Sequence, residues 1–149
     1  MVKSMLLKQI SIFIENKSGR LAEITRLFGE NGINILALSI ADTTDFGILR
    51  LIVSDPDKAE KIVKENGLTA KATDVIGISI PHVPGGLAQA LSVLSNNGIG
   101  IEYMYAFATR SEDDAMVILK VGDNFAAMKI LTDAGIKILT DKDIASLFR

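Results

Sequence analysis

The chain contains no cysteine and no tryptophan. A disulfide scaffold, a zinc knuckle and a thiol nucleophile are therefore excluded. Histidine occurs once, as His82. Ser-His-Asp catalysis would have to use it, yet no Gly-x-Ser-x-Gly elbow is present. No Walker loop and no Gly-x-Gly-x-x-Gly fingerprint occurs either. No nucleophile-base pair stands out, so the expectation is a protein that is not an enzyme and carries no cofactor or metal. Glu112, Asp113 and Asp114 are adjacent acids at an expected hairpin tip, the pattern of a solvated turn. Aromatic residues make up only 5% and the formal net charge is −2. Nucleic-acid binding calls for a basic surface and, for single-stranded RNA, aromatics on central strands. No nucleic-acid partner is expected. Apolar runs are strand-length, too short to span a membrane. The opening "MVKSMLLKQI" lacks a long apolar segment and a cleavage site, so no signal peptide is read and the expected location is cytoplasmic.

What the chain does have is apolar content and repetition. Hydrophobic residues are 48% of 149, enough to bury a core in one domain or two very small ones. Shifting the sequence by 66 positions places Ile10, Ile12 and Ile14 on Ile76, Ile78 and Ile80. The same shift places Gly19, Leu21 and Ala22 on Gly85, Leu87 and Ala88, and "NGINI" on "NGIGI". Past a hairpin the shift becomes 68, so Val53 and Asp55 fall on Val121 and Asp123, and Gly67 falls on Gly135. The duplicated unit is roughly 65 to 70 residues, longer than a solenoid repeat. The units divide as residues 1–72 and 73–149.

Each unit reads β-α-β-β-α-β. Ile10, Ile12 and Ile14 alternate with Gln9, Ser11 and Phe13, the period of a strand with one buried face. Leu21, Ile24, Leu27 and Phe28 share a helical face, and Asn31-Gly32 ends that helix. Strands are expected over 33–40, 46–53 and 68–73. Between the strands at 33–40 and 46–53, residues 41–45 turn the chain. Asp55 caps a second helix that begins at Pro56. In the second unit strands are expected over 75–80, 99–108, 115–121 and 136–139, with helices over 87–97 and 123–134. A short turn or helix capped by Asp141 closes the chain.

Two stretches carry the functional signal. "IENKSGRLAEI" and "IPHVPGGLAQAL" each pass from a strand into a helix through glycine. A helix N-terminus presents unpaired N–H groups and partial positive charge, which favour a carboxylate. Gly19, Gly85 and Gly86 let a ligand approach the backbone closely. Asn16 offers both donors and an acceptor, suited to an amino group and a carboxylate together. A plainer role is open for each: Gly19 as a tight-turn residue, Asn16 or Ser18 as a helix cap.

"IENKSGRLAEITRLFGENGINI" resembles the start of an ACT domain, with its apolar strand, Asn-x-Pro/Ser-Gly-x-Leu, helix and Gly-[Ile/Val]-Asn-Ile. "IPHVPGGLAQALSVLSNNGIGI" is similar, with Pro84-Gly85 and Leu87. The resemblance runs over almost the whole chain as a tandem pair, like the small stand-alone ACT pairs of prokaryotes. It implies an α+β fold: two ferredoxin-like βαββαβ units packed side by side, antiparallel sheets with helices on one face. It implies a regulatory protein that binds a free amino acid between two ACT units and acts through its own homo-oligomer or a partner enzyme. The alternative is a non-catalytic interaction or dimerisation module without ligand binding.

Ligand in this family touches the corner of one unit and the second strand of another. Carried onto this chain, the corner residues are Asn16, Ser18, Gly19, Arg20 and Leu21, and His82, Val83, Pro84, Gly85, Gly86 and Leu87. Strand residues are Asn34, Leu38 and Ser39, and Tyr103, Met104 and Tyr105. Serine-sensing members carry His-x-Asn at the corner and Asn in Gly-x-Asn. The first unit keeps Asn16 and Asn34 but has Ile14 in place of the histidine. The second has Ile80, His82 and Gly100 at the three positions. The two corners are therefore expected to be unequal. Tyr103, Met104 and Tyr105 are open to two readings, core packing or a wall for a larger polar side chain.

Overall fold

The structure is a computed structural model and describes residues 5–15, 17–42, 46–107 and 114–146. The chain divides into two compact units, Lys8–Thr73 and Met1–Leu7 with Asp74–Arg149. We call them the first and second unit.

The first unit contains β1 (Leu7–Glu15), α1 (Arg20–Glu30), β2 (Ile35–Asp42), β3 (Phe46–Val53) and α2 (Pro56–Glu65). β3 lies between β2 and β1, antiparallel to both, with Ile12 opposite Leu49 and Leu38 opposite Leu51. Ile10, Ile12 and Ile14 of β1 share one buried cluster with Leu49 and Leu51 of β3, Ile24 and Phe28 of α1, and Ile62 and Val63 of α2. Both helices thus pack on one face of the sheet, as their apolar stripes require. Phe28 is fully buried, a burial that contributes about 1.5–3 kcal/mol.

β4 (Thr69–Pro81) is a single strand of 13 residues, where the sequence suggested two strands separated near residue 74. No glycine or proline lies in Thr69–Ile76, around residue 74, to break it there. The second unit continues with α3 (Gly86–Asn96), β5 (Ile101–Ala106), β6 (Asp114–Val121), α4 (Asn124–Asp133), β7 (Lys137–Leu139) and α5 (Asp141–Ser146). Its strands are ordered β7-β4-β6-β5, all antiparallel. Ile76, Ile78, Leu94, Leu119 and Leu131 lie in its core, and Leu6 joins them from the start of the chain. Leu7 passes so near Gly77 that a Cβ there would fall 2.6 Å from its Cδ1.

The duplication is visible in the backbone. Positive φ occurs at Gly19, Gly32 and Gly67, and again at Gly85, Gly98 and Gly135. A bulge interrupts β2 between Ile35 and Ala37, and its counterpart interrupts β5 between Ile101 and Tyr103. Helix ends follow the expected chemistry. Asp55 and Asp123 cap α2 and α4 by accepting from Lys58 N and Ala126 N. Asn31, Asn66 and Asn97 each donate from Nδ2 to a carbonyl four residues back, at 2.8 Å.

Two expectations are corrected. Gln9 and Ser11 lie on the sheet face away from the helices, yet both are buried; Gln9 Nε2 donates to Ser11 Oγ at 3.2 Å, so the pair partly satisfies itself. The cap of α5 is Thr140, not Asp141. Thr140 N donates to Asp143 Oδ2 and Asp143 N donates to Thr140 Oγ1, a reciprocal capping box in which a carboxylate three residues on closes the turn. Residues 43–45 of the first expected hairpin turn, and Glu112 and Asp113 of the second hairpin tip, lie outside the described residues.

Candidate functional site

The first corner joins β1 to α1. Gly19 is the N-cap residue with φ 88°, a left-handed conformation that glycine adopts without a Cβ clash. It has no side chain to cap the helix, and Ser18 beside it is exposed. Arg20 N donates to Lys17 O at 3.3 Å and Glu23 N to Gly19 O at 3.0 Å. The corner is heavily charged. Lys17 Nζ lies 2.8 Å from Glu15 Oε2, and Arg20 Nη1 lies 3.3 Å from Glu23 Oε2. The hydrogen bond from Lys17 and its charge, with Arg20 adding, hold the Glu15 carboxyl below its ordinary range. Asn16 lies outside the described residues.

The second corner joins β4 to α3. Gly85 repeats the left-handed N-cap with φ 83°, again without a side-chain cap. Gly86 N donates to Val83 O and Gln89 N to Gly85 O, both at 3.0 Å. His82, Val83 and Pro84 are exposed, and Leu87 is partly so. Gly86 is buried, and a Cβ there would overlap the Pro81 carbonyl oxygen. The first turn of α3 has no acidic residue; Gln89 stands where α1 has Glu23. An incoming carboxylate therefore meets a bare helix N-terminus here, without the fixed acid found at the first corner.

Asn34 does not meet the corner of its own unit. Glu15 is opposite Phe46, at one end of β3, whereas Ile35 is opposite Val53, at the other end. Asn34, just before Ile35, is anchored through its backbone to Ser54: Asn34 N donates to Ser54 Oγ and Ser54 N to Asn34 O. Seven residues of strand separate the two ends, roughly 23 Å. A small ligand cannot touch both Gly19 and Asn34 of one unit. Leu38 is exposed and Ser39 half-buried, midway along β2. In β5, Met104 packs against the core, Tyr105 is buried opposite Ile118, and Tyr103 is half-buried opposite Lys120.

Sequence alone did not single out Gly86 as sterically required, nor the exchange of Glu23 for Gln89. Aligning the two copies position by position is the signal that finds the second. Among the described residues, no group of three or more His, Asp or Glu side chains is placed to hold a metal ion. No helix among them is long and apolar enough to cross a membrane.

The ACT domain pair family matches residues 5–148. The chain belongs to that family. The ACT domain pair is a regulatory domain family, and its two ferredoxin-like ACT units are those described above. The chain is similar to the protein BT0572 from Bacteroides thetaiotaomicron, with 46% identity and a TM-score of 0.90, covering 96% of this chain and 98% of that one. Its fold is similar to the ligand-free regulatory subunit of aspartate kinase from Thermus thermophilus, with 21% identity, a TM-score of 0.63 and coverage of 85% and 91%. The corresponding subunit from Thermus flavus has 20% identity and a TM-score of 0.59, with coverage of 85% and 91%. A comparison with curated proteins finds no match.

Proposed function

We propose that this ACT pair is a sensor that binds a free amino acid and carries out no chemistry on it. The carboxylate docks on the uncapped N-terminus of α1 or α3, and the second strand of an adjoining ACT unit supplies the other wall. The observation that carries this reading is the pair of corners, each with a left-handed glycine at the N-cap and, among the described residues, no side-chain cap on the helix. The separation of Asn34 from the corner of its own unit supports the need for a second unit. Occupancy is passed on through a homo-oligomer or a partner enzyme, because a ligand that binds two states unequally shifts their balance.

A thermal-shift screen of the full chain against the common amino acids tests this. A ligand that binds only the folded state raises Tm. At least one amino acid should do so at ~10 mM, well above a micromolar-to-millimolar Kd. No shift with any of them would contradict the proposal.

One observation favours a second reading, an interaction module without ligand. Phe13 and Phe46 of the first unit are 45% and 61% exposed. They lie on the sheet face opposite the helices, since Phe46 pairs with Glu15 and Phe13 with Ile48. Wild-type self-association or partner capture that persists after Gly85→Asp would support this second reading.

A further inference from the structure

We propose that an open groove beside α1 of the first unit is a second binding site, distinct from the corners, for a small aliphatic zwitterion of the amino-acid class. The groove encloses about 230 Å³. Ile24, Leu27 and Leu68 contribute apolar lining, and Arg20, Glu23, Arg26 and Glu30 bring both signs of charge. Arginine forks match a carboxylate, glutamates accept from an ammonium group, and the leucine and isoleucine side chains suit a short aliphatic chain. A short aliphatic amino acid suits this space, which is smaller than drug-sized ligand pockets.

The charges are not required to build the helix. The duplicate helix α3 folds with Gly86, Gln89, Ser92 and Asn96 at the four matching positions, none of them charged. Nor do the existing ion pairs hold those charges firmly. Arg26 Nε lies 3.8 Å from Glu30 Oε1, beyond hydrogen-bonding distance, and both side chains are about two-thirds exposed. Arg20 and Glu23 are 3.3 Å apart and also solvated. Such pairs contribute little to stability, so their charges are available to a ligand of opposite polarity at each end. The groove runs from Arg20 to Glu30, the length of α1. A ligand seated near Arg26 and Glu30 is therefore removed from the corner.

The test is an amide NMR titration of the full chain with L-leucine, 4-methylpentanoate and 3-methylbutylamine, the last two each lacking one charge of the zwitterion. Leucine should shift the amides of Leu27 and Leu68, and each analogue should bind at least about tenfold more weakly, the cost of losing one charge-assisted contact. The exposed double variant Arg26→Ala/Glu30→Ala should weaken leucine at this groove by a similar factor. No shift at Leu27 and Leu68 with ~10 mM leucine, far above an expected Kd, would overturn the proposal. So would equal shifts from the three compounds, or shifts unchanged in the double variant. Corner occupancy is read separately, from the amides of Gly19 and Leu21 at the first corner and of His82 and Leu87 at the second, so the two kinds of site succeed or fail independently.

Discussion

Position 20 in the first corner is an arginine; the matching residue in the second is Gly86. The backbone turns alike in both places, with left-handed glycines at φ 88° and 83°. The surroundings diverge. The first corner carries Glu15, Lys17, Arg20 and Glu23 in two ion pairs. The second is lined by His82, Val83, Pro84 and Leu87, and the Pro81 carbonyl presses against Gly86. Duplication preserved what the fold needs, the turn and the uncapped helix, while the side chains that would meet a ligand drifted apart. The bulges make the same point. The extra residue is Leu36 in β2, fully buried, and Glu102 in β5, paired with Lys120 at 3.3 Å.

Substitutions at matched positions separate shared architecture from divergent surface. The largest effect is expected in the cores. Phe28 and Leu94 occupy the same place in the two units and are both fully buried. Phe28→Ala should cost about 3–5 kcal/mol and Leu94→Ala about 2–5 kcal/mol in urea unfolding. Losses below about 1 kcal/mol would mean that these helices do not pack as described.

The corners come next. Gly86→Ala forces a Cβ onto the Pro81 carbonyl, so it should cost about 1–3 kcal/mol. Arg20→Ala, at the matching half-buried position where no backbone oxygen blocks a Cβ, should stay within about 0.5 kcal/mol. Equal costs would erase the claimed difference in tightness. By contrast, Gly19→Ala and Gly85→Ala should cost about 1–2 kcal/mol each, because both place an L side chain at positive φ. A clear inequality between them, measured by urea unfolding, would show that the two turns are not the same structure.

Much of this fold is readable in the sequence. β3 falls on Phe46–Val53, where the apolar run places it, and Asp55-Pro56 and Asp123 mark the starts of α2 and α4. Those features depend on local spacing and on caps a few residues apart. What was not legible depends on contacts between distant segments. Gln9 and Ser11 look like solvent-facing residues of an alternating strand but are buried. Nothing in "MVKSMLL" announces that Leu6 fills the core formed by residues more than 65 positions later. The need for glycine at 86 appears only once the Pro81 carbonyl is in place. For the candidate site, the corners are legible because turn and helix start are contiguous. The proposed partner wall is not, because under that proposal it comes from a segment distant in sequence.

A further small effect concerns an element that, among the described residues, the second unit alone has. α5 is capped by Thr140 and Asp143, with Lys137 3.9 Å from Asp143. The Thr140 backbone N–H, donating to the Asp143 carboxylate, is the main cause holding it below its ordinary value; its hydroxyl and Lys137 add, and burial opposes. A folded value below the unfolded one means the contribution is present above the unfolded pKa of about 3.9 and is lost as pH falls through the folded value. Amide-exchange protection of α5, compared with that of α4, should therefore fall below about pH 4. Thr140→Ala should cost about 1 kcal/mol at neutral pH and weaken that acid dependence. An α5 that loses no protection relative to α4 at any acid pH where the rest of the chain stays folded would contradict the capping role.

The proposed sensor docks a free amino acid at a corner against another unit's second strand. An amide NMR spectrum of the full chain, with and without a mixture of the common amino acids, tests it most directly. The account predicts that the amides of Gly19 and Leu21, or of Gly85 and Leu87, shift together with those of Leu38 and Ser39, or of Tyr103 and Tyr105. A spectrum in which neither corner responds would contradict it.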